Sequence, residues 1–425
     1  MKVDLLIHSA SQLLTLAGGP QRGAELGQLG IIQDGAIAIV GGRIEAIGKS
    51  EELRSTFEAE KLIHAVGRVV MPGFVDPHTH VIWAGDRADE FEARASGATY
   101  MEILAQGGGI LSTVRHTRDI ETSALMMQSG QRLNRMLRHG TTTAEAKTGY
   151  GLELETELRM LDAILKLDKR GPLELAPTFI PAHAVPPEQE AEKYVDEICN
   201  EMLPALVKWW RKHQSDADFP FVDVFCEEGA FDLTQSRGVL TAAQALGFPL
   251  KIHADEFASL GGVSLAIELG AASADHLVHT PTDEIKSLGA SETVAIALPA
   301  TPFGLGETDY TPAKDILEAN GLLALATDLN PGTAWCESLQ FVMALATRYM
   351  SLSPAQSIAA CTINAAAAIG REEVIGSLEA GKQADLLILE ADSYRHLGYR
   401  FGTNLVQRVV KKGKVVVDRR RDGFR

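Results

Sequence analysis

Cysteine is scarce in this chain. Cys199, Cys226, Cys336 and Cys361 are scattered through 425 residues without a CxxC pair. That leaves little basis for a structural zinc knot or a disulfide framework, and it suits a reducing compartment. Long apolar runs are also missing. No stretch reaches the roughly 18 residues a membrane-spanning helix needs. The opening MKVDLLIHSASQLLTL carries an aspartate inside what would be the apolar part of a signal peptide, so the expected location is the cytoplasm. An excess of basic charge is absent too. Forty Lys and Arg stand against 56 Asp and Glu, a net charge of −16. This argues against broad binding to nucleic acid or to an anionic membrane surface. One local arginine would still suffice to hold an acidic small molecule. The run Gly107, Gly108 and Gly109 lacks the lysine and the serine or threonine of a phosphate-binding loop. No repeat or low-complexity segment is evident.

Glycine is plentiful, with 39 residues, as expected of a chain with many tight turns. The first 70 residues read as short strands: LLIHSA, GAIAIVGGRIEAIG and KLIHAVGRVVMPG are β-branched runs broken by glycines, with a hairpin turn at VGGRI. The end of the chain reads likewise, as ADLLILE and VQRVVKKGKVVVD, with a turn at KKGK. The middle alternates apolar strands with stretches of helical period. Helices are expected over Ser123 to Leu137, Glu153 to Leu167, Thr234 to Leu246, Gly262 to Leu269 and Cys336 to Tyr349. Repeated strand–helix units imply a parallel sheet. About 250 residues separate His78 from Asp328, close to the usual length of a (β/α)8 barrel. Periodicity alone leaves an open doubly wound sheet standing beside it. The expected fold is an α/β (β/α)8 TIM barrel over residues 71–370. Residues 1–70 and 371–425 would combine into one small composite β-sandwich. The alanine-rich stretch Ala359 to Ala368, with Asn364, reads as a packed helix.

Polar residues close several of the apolar strands. In PGFVDPHTHVIWAG, His78 and His80 stand two apart and so face the same way on a strand. In FPLKIHADEF, His253 stands just after a strand with Glu256 three residues on, His276 ends ASADH, and Asp328 follows LLALAT. The C-terminal strand ends of a barrel converge on one mouth, where catalytic groups gather. Imidazoles and a carboxylate there suit zinc, and also iron or manganese. A metal lowers the pKa of bound water and so provides a nucleophile near neutral pH. Each residue alone has a plainer explanation. HxH occurs by chance, His276 fits a satisfied core histidine, Asp328 before Asn-Pro-Gly fits a turn cap, and Glu256 fits the start of a solvated helix. Their shared placement favours the metal. Arg87 in GDRADE is suited to clamp a carboxylate or to form a surface ion pair. Tyr150 and His183 follow strands and either line the mouth or serve structure.

PGFVDPHTH resembles the first-strand metal motif of the amidohydrolase superfamily. Within it, FVDPHTHVIWAGDR, ATYMEILAQGGGI, KTGYGLELETE, HADEF and ATDLNPGT resemble the imidazolonepropionase family of histidine degradation, along essentially the whole chain. That resemblance implies a cytoplasmic homodimer holding one zinc or iron ion per subunit, Zn2+ or Fe3+. It implies hydrolysis of 4-imidazolone-5-propanoate to N-formimidoyl-L-glutamate. Carried onto this sequence, His78, His80, His253 and Asp328 would hold the metal. Arg87 would bind the propionate carboxylate. Tyr150, His183, Glu256, Asn330, Gly332 and Thr333 would contact substrate. Glu256, His276 and Asp328 would do the proton work and stabilise charge.

Three rivals remain at this stage. A nucleobase deaminase shares the His-to-Glu spacing of HADE but would release ammonia and need no carboxylate clamp. A two-metal cyclic amidase uses a carboxylated lysine, and Lys147 is placed near a strand end. A non-catalytic protein built on the same barrel is the third, although none of the ligand types is missing.

Overall fold

The structure, a computed structural model, describes residues 1–97, 108–215 and 217–422. Most of the ATYMEILAQGGGI stretch, with Gly107, lies outside the described residues. Eight parallel strands follow one another in chain order: β1 Phe74–Asp76, β2 Thr141–Lys147, β3 Glu174–Ala182, β4 Phe221–Cys226, β5 Lys251–Ala254, β6 Ser273–His276, β7 Val294–Ala297 and β8 Leu323–Leu325. Helices pack between them, including Thr122–Arg138, Leu154–Arg170, Leu233–Ala245, Gly262–Leu269 and Leu339–Tyr349. Strands covered on both faces are apolar nearly throughout. That is why these segments read as short continuous apolar runs.

The sheet closes where β8 meets β1. The backbone N–H of His80 donates to Leu329 O at 3.0 Å, and that of Asp328 donates to His78 O at 3.1 Å. Deeper in the same seam, Asp76 accepts from Thr327 N at 3.1 Å and from Thr327 Oγ1 at 2.7 Å. The closure therefore runs through the residues that flank the histidine pair. This settles the choice between barrel and open sheet in favour of the barrel.

The terminal segments form two further sheets. One contains Lys2–Ala10, Gly35–Val40, Arg43–Lys49 and Glu58–His64. The other joins both ends of the chain: Leu386–Leu389 pairs antiparallel with Val69–Pro72 on one side and with Val406–Lys411 on the other. Leu5, Ile7, Ile37 and Ile39 of the first sheet share a buried core with Val70, Leu386, Ile388 and Val410 of the second. The composite sandwich is therefore present. Its turns fall at Gly41–Gly42 and Lys412–Gly413, as the glycines at VGGRI and KKGK require.

The helix Ile363–Ala367 locks the two parts together. Asn364 accepts from Gln21 N at 2.8 Å and donates to Gln21 O at 2.8 Å and to Leu323 O at 2.9 Å. Ala365, Ala366 and Ile369 pack against Val75, Ala176, Ile296 and Ala324 of the barrel strands.

Ile388 is buried at the junction of the two terminal segments. Truncation to alanine should cost about 2–5 kcal/mol, the usual range for emptying such a site. A shift in the urea unfolding midpoint measures it. A loss below about 0.5 kcal/mol, the scale of surface substitutions, would mean that the sandwich core is not packed as described.

Candidate metal centre and active site

At the C-terminal end of the barrel the strands bring five side chains to one centre. His78 and His80 follow β1, His253 lies in β5, His276 ends β6, and Asp328 follows β8. All five are buried. One oxygen of Asp328 lies 3.4 Å from His78 Nε2 and 3.7 Å from His80 Nε2. His80 Nε2 and His253 Nε2 stand 3.3 Å apart. His78, His253 and His276 also offer nitrogens within 4.8 Å of one another.

Neighbouring carboxylates fix which nitrogen of the His78 and His253 rings carries the proton. His78 Nδ1 meets Asp275 Oδ2 at 2.6 Å, and His253 Nδ1 meets Asp223 Oδ2 at 3.1 Å. A carboxylate can only accept there, so each Nδ1 donates and each Nε2 presents a lone pair inward. His78 Nε2 and His276 Nε2 have no hydrogen-bond partner. Burial, reinforced by the charges of Lys147 and the other imidazoles, holds His78 well below the usual histidine range. Burial does the same to His80 and His276, so all three are neutral near pH 7. Neutral imidazole is the form that binds a metal.

Inward-facing lone pairs beside a carboxylate make a repulsive arrangement unless a cation joins them. Tetrahedral zinc, with bonds of about 2.0–2.1 Å, needs donors roughly 3.3–3.4 Å apart. Two of the three separations fall in that range and the third is slightly longer. The donor set therefore fits a metal ion of this kind.

A fully enclosed ionic network lies directly beneath. Lys147 Nζ donates to Asp223 Oδ2 at 2.6 Å, contacts Glu145 Oε2 at 2.9 Å, and lies 3.7 Å from Asp275 Oδ2. Lys251 Nζ donates to Pro77 O at 2.8 Å and pairs with Glu145 Oε1 at 3.0 Å. Burial opposes the charge on Lys147, but Asp223, Glu145 and Asp275 outweigh it and hold the ammonium above its usual pKa. Lys147, a candidate carboxylated metal bridge by sequence, is thus engaged as a cation.

Backbone geometry at the strand ends is unusual. Asp255, His276 and Asp328 have φ of 57°, 81° and 49°. Left-handed backbone costs a non-glycine residue about 1–3 kcal/mol and clusters at functional sites. At β6 the consequence is visible. Adjacent strand residues ordinarily point to opposite faces. The turned backbone of His276 lets it and Asp275 both serve the same site.

The remaining predicted residues surround this centre. The His183 ring stacks on His80 with centroids 4.7 Å apart, and its Nδ1 donates to Gly149 O at 2.9 Å. Burial, with help from His253, pulls His183 down to about 3. Tyr150 packs 5.3 Å from His183, and its hydroxyl is held above its usual pKa by burial and by Asp328. Glu256 Oε2 lies 3.5 Å from His276 Nδ1. Burial, then Asp328, Glu227 and Glu307, keeps the Glu256 carboxyl well above the usual range. Burial also raises Asp328 to about 6, although Thr301 Oγ1 donates to its Oδ2 at 2.6 Å.

Arg87 and Gly332 come together from β1 and β8. A side chain at Gly332 would push the Arg87 guanidinium out of its present position. Arg87 Nε donates to Glu90 Oε2 at 2.7 Å. Asn330 Oδ1 accepts from the backbone N–H of Gly332 and of Thr333, both at 2.8 Å, and its Nδ2 donates to Asp328 O at 2.7 Å. The Asn330 amide thus organises the turn after β8.

Sequence reading missed Asp223, Asp275, Glu145, Lys251 and Thr301. A signal existed for four of them. Charged residues inside apolar parallel strands, as in AEAK, FVDVF, LKIHA and SADH, persist only when paired. Thr301 had none.

Lys147→Met should destabilise the protein by about 3–5 kcal/mol, because it leaves buried carboxylates without their counter-ion. Chemical denaturation measures this. A near-neutral result would show that the network is not load-sharing as drawn.

Residues 69–416 match the family model described as the amidohydrolase family. The chain is 50% identical to imidazolonepropionase of Herpetosiphon aurantiacus over 97% of both chains. It is 51% identical to that of Chloroflexus aggregans, covering 97% of this chain and 98% of that one. Among solved structures, an adenosine deaminase from Xanthomonas campestris with bound zinc superposes with a TM-score of 0.70 at 19% identity, over 99% of this chain and 94% of the other. Guanine deaminase of E. coli gives 0.72 at 17% identity, over 97% and 99%. At such low identity these two speak to the fold alone. On the family match and the near-full-length similarity, the chain belongs to the amidohydrolase family and, within it, to the imidazolonepropionases.

Proposed function

We infer that the chain hydrolyses the cyclic amide of 4-imidazolone-5-propanoate to N-formimidoyl-L-glutamate, a step of histidine degradation. The observation that carries this reading is the convergence of His78, His80, His253 and Asp328, with Arg87 in the loop that follows β1, in a chain half identical to imidazolonepropionases. We assign one ion per subunit, zinc or iron, to those four residues. The engagement of Lys147 with three carboxylates supports a single ion over a lysine-bridged pair. Such an ion supplies Lewis acidity and lowers the pKa of bound water. The family resemblance further supports a cytoplasmic homodimer. Among the described residues no helix is long and apolar enough to cross a membrane.

The chain's own groups then divide the work. Arg87, its Nε held by Glu90, turns its remaining guanidinium nitrogens to the propionate carboxylate. Tyr150 and His183 flank the imidazolone ring, and Gly332 and Thr333 border it from beyond β8. Asp328 accepts the proton of the attacking water, whose oxygen adds to the ring carbonyl carbon. His276, with Glu256 on its Nδ1 side and no partner on Nε2, donates its Nε2–H to the negative charge that develops on the carbonyl oxygen. The carbon–nitrogen bond then breaks, and Glu256 passes a proton to the leaving ring nitrogen. A buried carboxyl with a raised pKa is suited to that donation.

Product analysis by mass tests the reaction class. Hydrolysis of the imidazolone adds one water and releases no ammonia. Ammonia release from a nucleobase, with imidazolone propionate untouched, would replace this reading by a deaminase.

Two substitutions test the roles. Asp328→Asn should lower kcat by about 10²–10⁴-fold, the usual worth of a positioned acid–base group. Arg87→Ala should raise KM about 10- to 100-fold with kcat largely kept, since about 1.5–3 kcal/mol of charge-assisted hydrogen bonding is removed. An unchanged KM would remove Arg87 from the substrate site.

A further inference from the structure

We propose that Glu227 is a positioning residue for proton transfer, holding the turn after β5 so that Glu256 faces His276. The proposal rests on the assignment of Glu256 as the group that serves the leaving nitrogen.

Glu227 directly follows β4 and is almost wholly buried, at 2% exposure. Its carboxylate reaches across to the neighbouring strand's loop. Oε2 accepts from the backbone N–H of Phe257 at 2.9 Å, and Oε1 accepts from that of Ala258 at 3.0 Å. Oε1 also accepts from Glu228 N at 2.9 Å. Phe257 and Ala258 are the two residues immediately after Glu256. Residues 255–258 belong to neither strand nor helix, and Asp255 sits at a φ of 57°. Both N–H groups find their acceptor in this one carboxylate. A segment with left-handed backbone and no ladder of its own has many conformations open to it. Glu227 selects the one in which Glu256 Oε2 stands 3.5 Å from His276 Nδ1.

The same carboxylate acts on Glu256 through charge. The groups facing Glu256 are Asp328 after β8, Glu227 after β4, Glu307 after β7 and the neutral His276 after β6. Burial is the first cause of the raised Glu256 carboxyl, and the three carboxylates add to it. Removing the charge of Glu227 makes ionisation of Glu256 easier, so its titration moves to lower pH. That titration therefore reports the charge coupling between Glu227 and Glu256 separately from any loss of stability.

Glutamine is nearly isosteric but offers one acceptor oxygen and one donor amide. In Glu227→Gln one backbone N–H therefore faces another donor, and the like charge is gone. Steady-state kinetics across pH, metal content and thermal melting of E227Q, E227D and E256Q form the test. In E227Q, kcat should fall about 10- to 100-fold, as expected for a catalytic group displaced by about 1 Å, with KM and metal content close to those of the unaltered protein. The limb of the pH profile that reports Glu256 should move to lower pH. E227D keeps the charge and loses the reach, so its kcat should fall while the limb stays in place. Should E227Q not fold, the kcat of E227D decides. Unchanged kcat in these variants would overturn the proposal. So would a fall in E227Q with the limb unmoved, because that marks a merely structural role. E256Q with full turnover would sink the role of Glu256 itself. An impaired E256Q beside an unimpaired E227Q would overturn the proposal alone.

Discussion

Everything at the mouth of this barrel depends on the ion network enclosed beneath it. Lys147 pairs with Glu145, Asp223 and Asp275, Lys251 pairs with Glu145, and all five side chains are shut away from solvent. Such a set is costly to desolvate and tolerates no missing member. Two of its carboxylates also reach upward, Asp275 to His78 and Asp223 to His253. Each of those contacts settles the proton on Nδ1 and aims Nε2 inward. The two cations hold the carboxylates in place, the carboxylates orient the histidines, and the histidines define the centre.

The network also explains how one fold can present acceptors rather than ion pairs at its mouth. The lysines are committed below, while burial keeps His78, His80 and His276 neutral, and the Nε2 atoms of His78 and His276 have no hydrogen-bond partner. Asp328 completes the donor set from the opposite side of the closure seam, steadied by Thr301. The hydrogen bonds that join His80 to Leu329 and Asp328 to His78 both close the barrel and set the ligand spacing. Fold and site therefore share the same few residues, and backbone strain at His276 and Asp328 is sustained by this over-determined surrounding.

Much of this was legible in the sequence where a simple period governs. The two-residue spacing of His78 and His80 reads directly as one face of a strand. The glycine turns at VGGRI and KKGK mark hairpins. The pairing of Val69–Pro72 with Leu386–Leu389 was expected only in outline, because register across some three hundred residues leaves no local trace. Asp275 was visible as a charge inside an apolar strand, but its part in the site was hidden for a physical reason. Alternation places it opposite His276, and only the turned backbone at His276 brings both to the site. Lys147 drew attention as a possible metal bridge, yet its partners come from three strands, which no local pattern reveals. The resemblance to a known family assigned the surrounding residues their roles; geometry now supplies contacts for Arg87, Asn330 and Gly332, with Asn330 engaged within its own turn.

The central claim is that a single metal ion held by His78, His80, His253 and Asp328 is required for hydrolysis of the imidazolone ring. The most direct measurement is turnover of 4-imidazolone-5-propanoate as metal-free protein is titrated with zinc or iron(III), with bound metal determined in the same samples. The account predicts that activity rises in proportion to bound metal and levels off at one ion per chain. Full turnover without metal, or a plateau only at two ions per chain, would contradict it.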